Sequence, residues 1–331
     1  MATIQDVAAN AGVSVSTVSR VLNNSVLVTP EKRERVMQAI SAVGYEMSRT
    51  KAMKSNKNKT ILVVTTILFE DIMSGIEEAA NELGYSLIYE YIGVRQNAYA
   101  RCQELLSVLQ GAIAGIVLIN VLSKHENLAK VFGDYPVVQI GEFYEMNPSY
   151  VIATDDEMAF YDITSLLIRK GRKRIAYVGM GNAEGTGSDL FINKKRKQGY
   201  RRALSENDLP YQKELIFYAD YSIEGGMDAA AYLMDLENPP DAICCSVDRI
   251  AVGCIKELRR RGISVPEQVA VTGCDGQPDA LSCIPSITTI AQSFVDIGSE
   301  AVQVLERVIQ GQMNKGCKML IQHEIIERES T

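Results

Sequence analysis

Through the first 45 positions apolar residues recur at helical spacing; from about position 60 they gather into short unbroken runs separated by amphipathic stretches. Ile4, Val7, Ala8 and Ala11 fall at i, i+3, i+4 and i+7 and form one apolar face, with Thr3 as N-cap and Asp6 three residues on. Gly12 ends that helix. Ser14 caps a second helix running to about Leu22, with Val18 and Val21 or Leu22 turned inward, and the glycine-containing turn between the two predicts helix-turn-helix. Thr29-Pro30-Glu31 starts a third helix with a cap and an N1 proline; Val36, Ile40 and Val43 supply its buried stripe, and Gly44 stops it.

The next stretch, EMSRTKAMKSNKNK (46–59), carries only Met47 and Met53 as large apolar groups and reads as a linker, helical only with outside help. Beyond it, strand-like runs at 61–66, 86–91, 115–120, 137–141, 174–179, 242–246 and 269–273 alternate with helical stretches near 70–83, 98–110, 156–170, 193–206, 224–236, 248–261 and 295–309. Such alternation predicts right-handed βαβ units and largely parallel sheets buried on both faces. Some 270 residues of it divide better into two lobes than into one sheet, with a cleft at the strand C-terminal ends. The expected architecture is therefore an all-α helix-turn-helix head (1–45), a hinge (46–59) and an α/β two-lobed sensor (60–331) built on two doubly wound parallel sheets.

Charge changes this picture by its distribution. The chain is −7 overall, but residues 1–60 hold nine Lys and Arg (Arg20, Lys32, Arg33, Arg35, Arg49, Lys51, Lys54, Lys57, Lys59) against Asp6, Glu31, Glu34 and Glu46, so a +5 module sits on a −12 body. A small basic module is what phosphate contacts require. The start of the chain lacks the basic and apolar segments of a secretory signal, and no run is long enough to span a membrane, which predicts a cytoplasmic protein without a membrane partner.

Seven cysteines (Cys102, Cys244, Cys245, Cys254, Cys274, Cys283, Cys317) lack metal-type spacing and read as buried reduced thiols, with Cys244 and Cys245 on opposite faces of a strand. The two histidines, His125 and His323, lie far from any Cys cluster, so neither a metal nor any other cofactor is expected. An enzyme on a doubly wound fold should show a glycine-rich phosphate loop or an acid, base and nucleophile set. GNAEGTG (181–187) lacks the GxGxxG spacing and has no histidine nearby, so no catalytic residue is assigned. A transport receptor of the same two-lobed form would need a signal peptide in place of the helix-turn-helix.

ATIQDVAANAGVSVSTVSRVLN (2–23) resembles the DNA-binding signature of the LacI/GalR repressor family, and TPEKRERVMQAISAVGY (29–45) its third helix and closing tyrosine. The likeness continues through RKGRKRIAYVG (169–179), RKQGYRRAL (196–204), SVDRIAVG (246–253), GCDG (273–276) and PSITTIAQ (285–292), and so covers essentially the whole chain. It implies a transcriptional repressor whose sensor resembles periplasmic sugar-binding proteins. The second helix would read the major groove: Val15, Ser16 and Arg20 would face bases, with Arg20 suited to guanine O6 and N7. Ser14, Thr17, Ser19 and Asn23 would bind phosphates. The family's hinge wedges a leucine into the minor groove; here Met47 and Ser48 replace the usual Pro and Asn, Met53 stands as the wedge one residue early, and Lys54 adds phosphate attraction.

For the effector the resemblance assigns Phe69, Asp155, Arg196, Tyr221, Asp248, Asp275 and Gln292. Arg196 would donate bidentately, Asp275 would accept from paired hydroxyls, Tyr221 and Phe69 would flank a ring, and Asp155 and Gln292 would line the lobe junction. Ordinary core packing competes for Phe69 and Tyr221, and helix capping for Asp248. Val247, Leu190 and Ile192 make the pocket differ from lactose and hypoxanthine sites. The implied partners are palindromic double-stranded operator DNA, a second copy in a homodimer, and a small polar effector. That effector would be a sugar or sugar derivative, or alternatively a nucleoside or purine-like corepressor; a two-lobed receptor without specific DNA binding is the remaining alternative.

Overall fold

The computed structural model describes residues 3–22, 29–43, 59–66, 68–92, 98–109, 111–121, 132–141, 150–181 and 191–331. Contacts divide the chain into two units, residues 1–57 and 58–331.

The first unit carries α1 (Ile4–Ala11), α2 (Val15–Leu22) and α3 (Pro30–Val43). α1 opens with a capping box in which Thr3 and Asp6 exchange hydrogen bonds. It closes at Gly12, whose φ of 61° suits glycine. Val7, Ala8, Ala11, Val18, Val21, Val36 and Ala39 form one small core, with Ile4, Val13, Ile40 and Val43 packed against it. Arg35 reaches from α3 to donate to the carbonyl of Ala11 at 2.6 Å, so one of the basic residues of this unit serves the end of α1.

In the second unit the parallel-sheet expectation holds, and the strand list lengthens. One six-stranded sheet runs β11-β5-β4-β3-β1-β2 and the other β12-β10-β9-β8-β6-β7. The first comprises β1 (Thr60–Thr65), β2 (Ser86–Tyr91), β3 (Gly115–Ile119), β4 (Val137–Ile140), β5 (Tyr150–Thr154) and β11 (Cys317–Ile321). The second comprises β6 (Ile175–Met180), β7 (Ile216–Ala219), β8 (Ala242–Cys245), β9 (Ala270–Asp275), β10 (Thr288–Gln292) and β12 (His323–Ile326). Every pairing is parallel except β10 with β12. Cys244 and Cys245 do face opposite cores of the second sheet.

Each sheet is covered by helices on both faces. α4 (Glu70–Glu82), α5 (Ala98–Leu109) and α11 (Phe294–Ile309) serve the first sheet. α6 (Asp156–Arg169), α7 (Phe191–Glu206), α8 (Ile223–Met234) and α9 (Asp248–Arg260) serve the second, with the short α10 (Pro278–Ser282) beside α9. Helices α6 and α11 therefore pack on the lobe opposite to the strand that precedes them. The chain passes between lobes three times: after Thr154, after Gln292 and between Ile321 and His323.

Three helix pairs meet backbone to backbone through glycine. A Cβ at Gly75 would lie 2.0 Å from the Val295 carbonyl oxygen, one at Gly199 2.0 Å from that of Glu157, and one at Gly226 2.2 Å from that of Ile250. α4 on α11, α6 on α7 and α8 on α9 are thereby set at close distances that fix where the strand ends, and so the site, come to lie.

Candidate effector site and nucleic-acid interface

In the helical unit α2 presents its first turn outward. Val15 is 40% exposed, Ser14 and Ser16 are exposed and Thr17 is half-buried. The Ser14 hydroxyl accepts from the Thr17 amide at 3.2 Å and shares hydrogen bonds with Ser16 Oγ at 2.8 Å and Thr17 Oγ1 at 2.9 Å, so it caps α2. The side chains of Ser19 and Arg20, and all of Asn23, Met53 and Lys54, lie outside the described residues.

In the sensor the parallel strands β9 and β10 end side by side, Asp275 pairing with Ala291 and Gln292 closing the neighbouring strand. This is the strand end at which doubly wound sheets bind ligands. Asp275 is buried, with a φ of 115° that costs a non-glycine residue roughly 1–3 kcal/mol. Gln292 Nε2 donates to Asp275 Oδ1 at 2.9 Å, and Gln292 Oε1 accepts from Thr154 Oγ1 at 2.6 Å. One glutamine thus joins the carboxylate to two of the three lobe crossings.

Arg196 projects from α7 into the same region and is 4% exposed. Its Nε donates to Asp156 Oδ1 at 2.7 Å, its Nη1 donates to the Ser246 carbonyl at 2.5 Å, and the guanidinium lies 5.4 Å from the Phe160 ring centre. Burial opposes its charge most strongly, but the charges of Asp156 and Asp275, with the hydrogen bond to Asp156, together outweigh it and hold Arg196 protonated. Two of its donors are therefore committed to the protein, and Asp156, which the sequence reading passed over, is its partner.

Asp155, one residue earlier, caps α6 by accepting from the Met158 amide at 3.1 Å. Phe69 stacks on Phe294, ring centres 5.2 Å apart, against the first-lobe core, which joins it to α11 as a packing residue. Tyr221 is 45% exposed, just before the Ser222 cap of α8; burial first, then the charge of Asp275, raises its hydroxyl pKa.

Asp248 begins α9 but does not cap it: the cap position is Val247, which provides no side-chain bond. The Asp248 carboxylate instead accepts from Thr289 Oγ1 at 2.5 Å and from the Gln277 amide at 2.8 Å. Burial, then the nearby Asp275, pushes its pKa up to about 7 against these hydrogen bonds. Burial likewise pushes Asp275 up to about 6, with Arg196 pulling it down and Asp156 pushing it up. The arrangement gathers a buried acceptor, a fixed cation and, after β7, a half-exposed aromatic at the strand ends of the second sheet. Sequence reasoning missed Asp156, Thr154 and Phe294. The adjacent acids 155 and 156 were the available sign, since a helix start can use only one of them as its cap.

Among the described residues no helix is long and apolar enough to cross a membrane, and no group of three His, Cys, Asp or Glu side chains is placed to hold a metal ion.

Comparison with known proteins places both units. Residues 3–48 match the family described as bacterial regulatory proteins, lacI family, and residues 164–331 match the periplasmic binding protein-like domain. Catabolite control protein A of Priestia megaterium is 30% identical over 99% of each chain. The transcriptional repressor CytR of Escherichia coli (strain K12) is 31% identical over 100% of this chain and 96% of its own. Among solved structures, the transcriptional regulator CelR–cellobiose complex superposes with a TM-score of 0.75 at 26% identity, covering 100% of both chains. With a helical head that matches the family's DNA-binding unit and a receptor that matches its sensor, the chain belongs to the LacI family of bacterial regulatory proteins, DNA-binding transcriptional repressors that carry an effector-binding domain.

Proposed function

We propose that this regulator binds a palindromic operator as a homodimer and that a small polar effector, a sugar or sugar derivative, sets its operator affinity. The observation that carries the reading is the chain of hydrogen bonds from Asp275 through Gln292 to Thr154: a buried acceptor for ligand hydroxyls is tied directly to two lobe crossings. A ligand that binds the closed arrangement better than the open one shifts the population between them, and 1–3 kcal/mol of such coupling corresponds to about a 5–150-fold change in DNA affinity.

On the DNA side, the exposed Val15 and Ser16 at the start of α2 support base contacts there, with Arg20 reading guanine and Ser14, Thr17, Ser19 and Asn23 on phosphates. Met53 and Lys54 are assigned to the hinge contact with the minor groove and its phosphates. Selecting sequences from a random duplex library tests this. An inverted repeat should emerge, and Arg20→Ala should bind it no better than scrambled DNA while still dimerising. No enrichment over scrambled duplex with the unmodified protein would end the specific-reader proposal.

On the effector side, a thermal-shift panel of unphosphorylated pentoses, hexoses, disaccharides and nucleosides tests the ligand class, because binding to the native state raises the midpoint by mass action. A response confined to nucleosides would replace the sugar reading with the corepressor one. Asp275→Asn should reduce the response to any positive compound by about tenfold or more in affinity.

A further inference from the structure

We propose that Asp248 is a positioning residue for Asp275: it holds the strained turn that aims the Asp275 carboxylate and makes no contact with ligand. This rests on the effector site proposed above and assigns one of its residues a different role. Asp275 has a φ of 115° and Gly276 one of 73°, so two successive residues adopt backbone conformations with positive φ, of which only the second is glycine. A non-glycine residue persists in such a conformation only where its surroundings over-determine it.

Asp248 supplies that restraint. Its Oδ2 accepts from the Gln277 amide at 2.8 Å, and the Gly276 amide adds a second backbone hydrogen bond to the same carboxylate. Oδ1 accepts from Thr289 Oγ1 at 2.5 Å, on β10, the strand beside Asp275. The carboxylate therefore straddles the turn and the adjacent strand. Gly273 makes room for it: a Cβ there would lie 2.2 Å from Asp248 Oδ1. Both oxygens are occupied by protein donors and the residue is 1% exposed, which leaves a ligand no approach.

Because this role needs an acceptor in place rather than a charge, it separates from ligand contact by substitution. A carboxamide can accept from the Gln277 amide and donate to Thr289 Oγ1, so Asp248→Asn should keep the turn; Asp248→Ala should release it. Hydrogen exchange resolved to single amides, on the full-length protein without ligand, reads this directly. In Asp248→Ala the Gly276 and Gln277 amides should exchange about tenfold faster or more, with the strands of both sheets keeping their protection; in Asp248→Asn the rates should match the unmodified protein.

Gly273→Ala, which drives a methyl into Oδ1, should reproduce the alanine pattern and serves where Asp248→Ala fails to fold. Unchanged exchange at 276 and 277 in the alanine variants would overturn the proposal, as would an asparagine variant as fast as alanine. The thermal-shift panel on the unmodified protein fails independently. No response there removes the effector reading while the exchange pattern still decides the role of Asp248.

Discussion

Asp248 and Asp275 put two carboxylates within one buried region, and both bind their protons more tightly folded than unfolded. Their pKa values stand at about 7 and about 6 against 3.8 for a free aspartate. A raised pKa means that the folded state holds the extra proton between those limits, so their contribution to stability is complete below about pH 4 and is lost as pH rises through 6 and 7. Glu257, drawn down to about 2 by hydrogen bonds from Arg260 and Arg261, titrates far below this window. Asp248→Asn should therefore have a melting temperature close to that of the unmodified protein at pH 4 and higher by several degrees at pH 8, read by calorimetry across that range. A difference that does not change with pH would mean that Asp248 ionises normally. At this scale the family resemblance named Asp275, Gln292 and Arg196, and the structure brings these three together near the strand ends of the second lobe. The hydrogen-bond partner of each was not legible: Asp156 meets Arg196 across 40 positions and Thr289 meets Asp248 across 41, contacts that only packing creates.

Among the elements, the three glycine-matched helix pairs impose the narrowest tolerance. Gly75→Ala on α4 would force a methyl to within 2.0 Å of a backbone oxygen of α11, and no flexible side chain stands there to give way. The substitution should cost about 2–3 kcal/mol, as a drop in urea midpoint with an unchanged slope. The same change at Gly84, where a Cβ meets nothing within 4 Å but φ is +71°, should cost about 1 kcal/mol through backbone strain alone. Helical and strand periods revealed the three helices of the head and most of the alternating core; the hinge expected at 46–59 lies, but for its last residue, outside the described residues. They missed β5, β7, β11 and β12 and left β10 within a motif rather than as a strand. The reasons are physical. β11 alternates half-buried with exposed positions at a sheet edge, so it lacks the unbroken buried run of a central strand. The antiparallel β12 also departs from βαβ order. Nor does any periodicity disclose that α6 and α11 pack on the lobe opposite to the strand each follows.

The homodimer proposed above would bring two heads to one operator, and the surface of the second unit offers a place for it to form. Leu281 and Ile284 are 65% and 76% exposed at the end of α10, a concentration of apolar side chains that water disfavours. If the proposed homodimer covers them, Ile284→Glu should sediment as a monomer and bind the full palindrome about 100-fold or more weaker, while binding a single half-site unchanged. A dimer that persists in that variant would place the interface elsewhere. Residues 61–331 carry −12 while residues 1–60 carry +5, so raising salt should weaken DNA binding steeply without loosening an apolar dimer.

The three passages between lobes also constrain how this receptor can be inherited or rebuilt. The first lobe takes its edge strand β11 and its helix α11 from segments that begin after residue 292, and the second takes α6 from just beyond β5. Neither lobe is a contiguous stretch of the gene. A fragment ending at 154 would carry five strands of the first sheet without β11 or the core helix α11, so cutting the gene at one point cannot exchange a whole lobe. Exchange of specificity between relatives must move residues 58–331 as a single cassette or alter the pocket one codon at a time.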